Sequence, residues 1–141
     1  MSELLLVIGT RIVRWDFQAL TSGNNAAGNQ FLHPMASRIA PTTTEAIGQT
    51  LAGMRFELWR MVGSLISVGT QSAVMTTRIN GVSQGSLAIT VGPGSTVFAD
   101  LTSPILVLAT DKLSILFVTT LADASTTNPR TTLLGRAGDS L

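Results

Sequence analysis

The sequence predicts an all-β protein: an antiparallel β-sandwich with extended N- and C-terminal arms. Three observations carry that expectation. Through the second half of the chain, apolar residues alternate with polar ones at period two, the mark of half-buried strands. Turn-forming groups (Asn80-Gly81, Gly92-Pro93-Gly94-Ser95, Ala109-Thr110-Asp111-Lys112) separate these runs at short spacings. Composition is the third: of 141 residues, 45% are hydrophobic and 12% charged, against a usual charged share of ~25%. A disordered chain needs the opposite balance. So little charge also implies that much of the surface meets protein rather than water.

The elements follow in order. Leu4 to Phe17 reads as a long strand with a bulge at Gly9. Thr21 to Gln30 is a polar loop, and Pro34 to Thr44, with two prolines and a Thr triplet, is extended. Glu45 to Leu51 holds one helical turn, with Thr42 to Thr44 as candidate caps. Phe56 to Met61 is the strand that enters the sandwich, although Ile47, Leu51, Met54 and Leu58 also fall at helical spacing. Ser72 to Ile79 runs into Asn80-Gly81, the pair favoured in a type I′ hairpin turn because both residues tolerate positive φ. Leu87, Ile89 and Val91 alternate along the next strand. A short segment Thr96 to Ala99 ends at Asp100, and Ser103-Pro104 opens a separate strand, Ile105 to Leu108. Leu113 to Leu121 closes the series, with Leu113, Ile115, Phe117, Thr119 and Leu121 on one face.

The chain therefore divides into an N-terminal strand and extended loop/arm region (1–55), a sandwich core (56–122, shared with strand 4–17) and a C-terminal extended arm (123–141). That last segment has only Leu133, Leu134 and Leu141 as large apolar anchors. Ordering such an arm costs about 1–2 kcal/mol per residue in backbone entropy, so docking on neighbouring chains is expected to offset the cost. Deleting 123–141 is expected to leave the sandwich folded.

Chemistry is constrained mainly by exclusion. The chain has no Cys, and nine Lys+Arg against eight Asp+Glu give +1. That balance argues against nucleic-acid binding by phosphate neutralisation. The first apolar run, Leu4 to Ile8, is too short for a signal peptide, and no run approaches the ~18 residues of a membrane span. Gly81-Val82-Ser83-Gln84-Gly85 spells the G-x-S-x-G of a nucleophile elbow. A strand follows it rather than a helix, and the single histidine, His33, lies upstream, so it reads as a hairpin loop. One imidazole does not make a metal site. Gly48 to Gly53 has phosphate-loop spacing, but Met54-Arg55 stands where Lys-Ser/Thr is required. Asp100 and Asp111 read as turn residues rather than a catalytic carboxylate pair, and Trp15, Trp59 and Phe98 as packing residues. The expectation is a protein that is no enzyme, with no catalytic residue, cofactor or metal. Eight of the nine cations are Arg, the cation enriched at protein interfaces. Partner binding is assigned to Arg11, Arg14, Arg38, Arg130, Leu133, Leu134 and Arg136.

Five segments between Thr76 and Thr119 carry a resemblance: Arg78-Ile79-Asn80-Gly81, Leu87 to Val91, Phe98-Ala99-Asp100, Pro104 to Leu108, and Asp111-Lys112-Leu113-Ser114-Ile115. Together they resemble the jelly-roll domains of tailed-bacteriophage surfaces, with Thr110 standing where such domains often have Gly. Similar patterns occur in C1q- and tumour-necrosis-factor-like trimers. Among phage jelly rolls, size, absence of Cys, low charge and long arms are most similar to the capsid cement (decoration) proteins. That likeness implies a jelly-roll-like sandwich working as a virion structural protein on the capsid exterior, assembled in the host cytoplasm. It would clamp neighbouring subunits of the major capsid protein against internal pressure. Its partners would be that protein and itself, as a homodimer or homotrimer, with no direct nucleic acid and no membrane. The alternative is a phage tail or fibre receptor-binding domain engaging host surface glycans.

Overall fold

The structure, a computed structural model, describes residues 11–19, 28–34, 40–65, 72–119 and 128–137. Ten strands and one short helix follow in order: β1 (Arg11–Gln18), β2 (Gly28–Phe31), β3 (His33–Pro34), α1 (Glu45–Gly48), β4 (Thr50–Leu51), β5 (Phe56–Leu65), β6 (Ala73–Ile79), β7 (Val82–Val91), β8 (Thr96–Val107), β9 (Lys112–Thr119) and β10 (Pro129–Ala137). They form two antiparallel sheets. The first runs β3-β1-β10-β5-β8; the second runs β2-β9-β6-β7, with β4 also pairing with β9. From β5 onward the chain passes between the sheets at every connection except the β6–β7 hairpin. The result is a jelly-roll-like β-sandwich.

Alternation builds the core. Leu87, Ile89 and Val91 of β7 and Leu113, Ile115 and Phe117 of β9 point inward from the second sheet, and Phe17, Phe56, Leu58, Met61 and Leu133 from the first; all are buried. Each such side chain contributes about 1.5–3 kcal/mol. Two buried hydroxyls are satisfied by sulfur: Thr77 Oγ1 donates to Met61 Sδ (3.3 Å) and Thr131 Oγ1 to Met75 Sδ (3.1 Å).

The β6–β7 hairpin turns at Asn80 (φ 52°) and Gly81 (φ 78°), both left-handed as a type I′ turn requires. Asn80 Nδ2 donates to Asp111 Oδ1 (2.8 Å), and the Lys112 N–H donates to Asn80 Oδ1 (2.9 Å). This hairpin is thereby latched to the β8–β9 turn, where the Leu108 N–H donates to Asp111 Oδ2 (2.8 Å). These bonds from Leu108 and then Asn80 hold the Asp111 carboxyl below the usual range. A second latch forms around α1. Arg78 donates to Glu45 (Nε–Oε1 2.7 Å, Nη2–Oε2 3.3 Å), to Ser83 Oγ (2.8 Å) and to the Gly81 carbonyl, and Ser114 Oγ donates to Glu45 Oε1 (2.8 Å).

Several expectations change. The strand expected over Leu4 to Phe17 is described from Arg11; the bulge proposed at Gly9 lies outside the described residues. Phe56 to Met61 is a strand as expected, with the strand extending over ten residues to Leu65. Thr44 takes the cap position of α1 without a side-chain cap bond. The segments expected on either side of Ser103-Pro104 are one strand, β8. Proline is tolerated there because β8 is an edge strand whose pairing with β5 slips between Asp100 and Ile105, so its missing N–H breaks no ladder bond. The largest correction concerns the C-terminal arm. Pro129–Ala137 is a strand inserted between β1 and β5. The boundary drawn at 123 thus cuts through the first sheet.

Tight packing makes two glycines of this sandwich unequal. A Cβ on Gly135 would fall on the Phe56 ring and 2.8 Å from the Glu57 carbonyl oxygen, whereas one on Gly85 would meet nothing within 4 Å. Gly135→Ala is expected to cost about 2–3 kcal/mol through overpacking against backbone that cannot yield. Gly85→Ala is expected to be neutral or stabilising by about 0.5 kcal/mol, since φ there is ordinary. Urea denaturation of the two variants beside the wild type checks the contrast; equal effects would refute it.

Candidate interaction surface

The outward side chains of the first sheet form rows, because antiparallel register places directly opposed residues on the same face. One row runs Asp16, Thr132, Val62, Phe98; the next runs Arg14, Leu134, Arg60, Asp100; a third runs Ile12, Arg136, Glu57, Leu106; a fourth runs Gln18, Arg130, Ser64, Thr96. Ile12 (65% exposed), Phe98 (62%) and Leu106 (47%) stand out to solvent.

All three carboxylates of these rows are bound to an arginine of the same face. Arg14 Nε donates to both oxygens of Asp16 (3.0 and 2.9 Å), and Thr132 Oγ1 donates to Asp16 Oδ1 (2.7 Å). Arg60 grips Asp100 in a fork, Nε–Oδ1 2.5 Å and Nη2–Oδ2 2.7 Å. Arg136 Nη2 donates to Glu57 Oε2 (2.6 Å). The Arg60 guanidinium also lies over the Trp59 and Phe98 rings, at 4.8 and 5.1 Å from their centroids. Its bonds hold the Asp100 carboxyl below the usual range and raise Arg60 itself. Exposed pairs of this kind contribute little to folding. Their consequence is for association: a protein laid over this face would strand no carboxylate without a counter-charge. Arg130 is the one cation of these rows with no carboxylate partner among the described residues.

The partner-binding residues expected from sequence fall in three places. Arg14, Arg130, Leu134 and Arg136 share this face, and Arg11 is exposed at the start of β1. Arg38 lies outside the described residues. Leu133 is a correction: it is fully buried in the core, because strand alternation turns it inward where Leu134 turns outward. The sequence reading missed Ile12, Glu57, Arg60, Phe98, Leu106 and Asp100, which had been assigned to a turn. Period-two alternation in Phe56–Leu65 and Thr96–Val107 marks most of them as outward, but only register joins them.

Ser83 and His33 are engaged elsewhere. Ser83 accepts from Arg78, and His33 Nε2 lies 2.8 Å from the Ala40 carbonyl oxygen. Among the described residues, no group of three or more His, Asp and Glu is placed to hold a metal ion. No helix of the described residues is long and apolar enough to cross a membrane.

No known protein family matches the chain, and no curated protein matches it either. Among solved structures it is similar to the CBM36-1 domain of a multidomain xylanase from the hindgut metagenome of Trinervitermes trinervoides, at 11% identity over 87% of this chain and 96% of that one (TM-score 0.44). It is also similar to FLHE, at 6% identity over 92% and 98% (TM-score 0.45), and to the carbohydrate-binding module CBM36 in complex with calcium and xylotriose, at 14% identity over 84% and 98% (TM-score 0.38). Likeness at this level brings no site residue with it.

Proposed function

We propose that this chain is a non-catalytic structural module, a decoration subunit that lies on the outside of a phage capsid and clamps neighbouring major capsid protein subunits. The observation that carries the reading is the outer face of the first sheet. It combines exposed apolar side chains with carboxylates already neutralised by arginine, the chemistry of a surface made to be covered. Low overall charge and the jelly-roll resemblance agree. The clamp then resides on a rigid sheet face rather than on a C-terminal arm. Glycan binding has less support: the Arg60 guanidinium occupies the aromatic faces of Trp59 and Phe98 on which a sugar ring would stack.

The test mixes the purified chain with shells of the major capsid protein encoded in the same genome and measures co-sedimentation. Wild type is expected to bind. Phe98→Glu, at a position too exposed to disturb the core, is expected to weaken binding by about tenfold or more. Absence of shell binding together with glycan-array binding would overturn the proposal in favour of the tail-fibre alternative.

A further inference from the structure

Strand β5 alternates strictly except at one residue. Phe56, Leu58, Met61, Gly63 and Leu65 are buried, while Glu57, Arg60, Val62 and Ser64 are only partly so; Trp59 is the added residue that shifts the pattern by one. Both ladders step over it. β10 sets consecutive Leu134 and Gly135 against Arg60 and Leu58, and β8 sets Asp100 and Ile105 against the same two, so Trp59 has a register partner on neither side. Bulges concentrate at sheet edges and beside functional sites, and β5 is an interior strand. This one interrupts two ladders without enlarging the core: Trp15 packs against the core cluster, whereas Trp59 does not.

The effect of the insertion is on the outer face. Leu58 and Met61 both point inward, so the two residues between them, Trp59 and Arg60, share the outer side. The Arg60 guanidinium lies over the Trp59 and Phe98 rings, and its fork to Asp100 fixes its plane. We infer that the bulge builds the binding centre of this face: Trp59, Arg60 and Phe98 form one preorganised anchor, against which the capsid subunit sets an apolar side chain. The inference rests on the capsid reading above and locates its energy. Aromatic residues and Arg dominate interface energetics when they sit centrally, and Arg60 and Phe98 belong to the two middle rows of the four. Arg60 already holds Asp100, so a carboxylate from the partner would lack a free counter-charge here once covered. Stack and fork are in place before association, so fewer side chains have to be ordered by it.

Deletion of Trp59 from the full chain tests this, because it closes the bulge and leaves β5 in strict alternation against β10. The variant is expected to keep the cooperative urea transition of the wild type and to bind shells of the major capsid protein about tenfold or more weaker. Trp59→Ala, which keeps the chain length, is expected to weaken binding likewise and answers the same question should the deletion fail to fold. Trp59→Phe retains a ring beneath Arg60 and is expected to retain most of the binding. Adding Phe98→Glu to the deletion is expected to weaken binding little further, since residues of one contact centre are not additive. Folded Trp59 variants that bind as wild type does would overturn the inference and leave the capsid reading standing. Loss of the cooperative transition in both the deletion and Trp59→Ala would make Trp59 a structural residue and overturn it too. A wild type that ignores shells removes the capsid reading and this contact with it.

Discussion

A chain ending at Asn128 is expected not to fold. The missing segment contains β10, which holds β1 through eight consecutive register positions and pairs on its other side with β5. Without it, the one sheet pairing left to β1 among the described residues is that of Gln18 with His33, and an interior edge of β5 opens to solvent. The core loses Leu133, worth about 2–5 kcal/mol by itself, together with Thr131, whose hydroxyl bonds to Met75, and Ala137. The combined loss exceeds the ~5–15 kcal/mol that holds an ordinary domain together. A chain ending at Ala137 keeps the whole strand and is expected to retain a cooperative urea transition. Near-ultraviolet circular dichroism of Trp15 and Trp59 provides the second readout. A cooperative transition in the shorter chain would show β10 to be peripheral. Because β1 and β10 pair although they lie far apart in sequence, the first sheet closes through long-range contacts, and folding is expected to be slow for this size.

Why β10 escapes a sequence reading is visible in its inward residues: Thr131, Leu133, Gly135 and Ala137. Apart from Leu133 they are small or polar, because large groups already fill the space opposite. The Phe56 ring lies on Gly135, and Met75 Sδ accepts a hydrogen bond from the Thr131 hydroxyl. Without large apolar residues at period two the segment resembles a tail. The strands β6, β7 and β9 carry Met75, Leu87, Ile89, Val91, Leu113, Ile115 and Phe117 at that period, and they are legible for the same reason. The candidate interaction face is half legible. Arginine enrichment pointed to Arg14, Arg130 and Arg136, but their neighbours Glu57, Arg60, Phe98 and Asp100 come from strands brought alongside only by β10.

Arg78→Leu is expected to destabilise the protein by about 3 kcal/mol at pH 7, and by less in acid. Glu45 and Arg78 are each about one-fifth exposed, so removing the guanidinium leaves a carboxylate largely shielded from water and without its counter-charge. The change also removes donors to Ser83 and to the Gly81 carbonyl, loosening the hairpin turn. Burial alone pushes the Glu45 carboxyl up. Bonds from Arg78 and Ser114 and the adjacent positive charge outweigh burial, leaving it below its ordinary value. A carboxyl depressed on folding contributes stability that is present above its unfolded pKa of ~4.3 and lost as pH falls through the lower folded value. In the wild type the latch therefore weakens in acid. In Arg78→Leu only Ser114 remains to oppose burial, so the Glu45 pKa moves up and protonation relieves the buried charge. The gap between the two proteins is expected to narrow from pH 7 to about pH 4, and Asp100 and Asp111, common to both, cancel from the difference. Glu45→Gln in the Arg78→Leu background removes that charge at every pH and is expected to recover part of the loss at pH 7. A gap between wild type and Arg78→Leu that stays constant with pH would mean that Arg78 acts through packing over Phe31, 5.9 Å from its ring, rather than through Glu45.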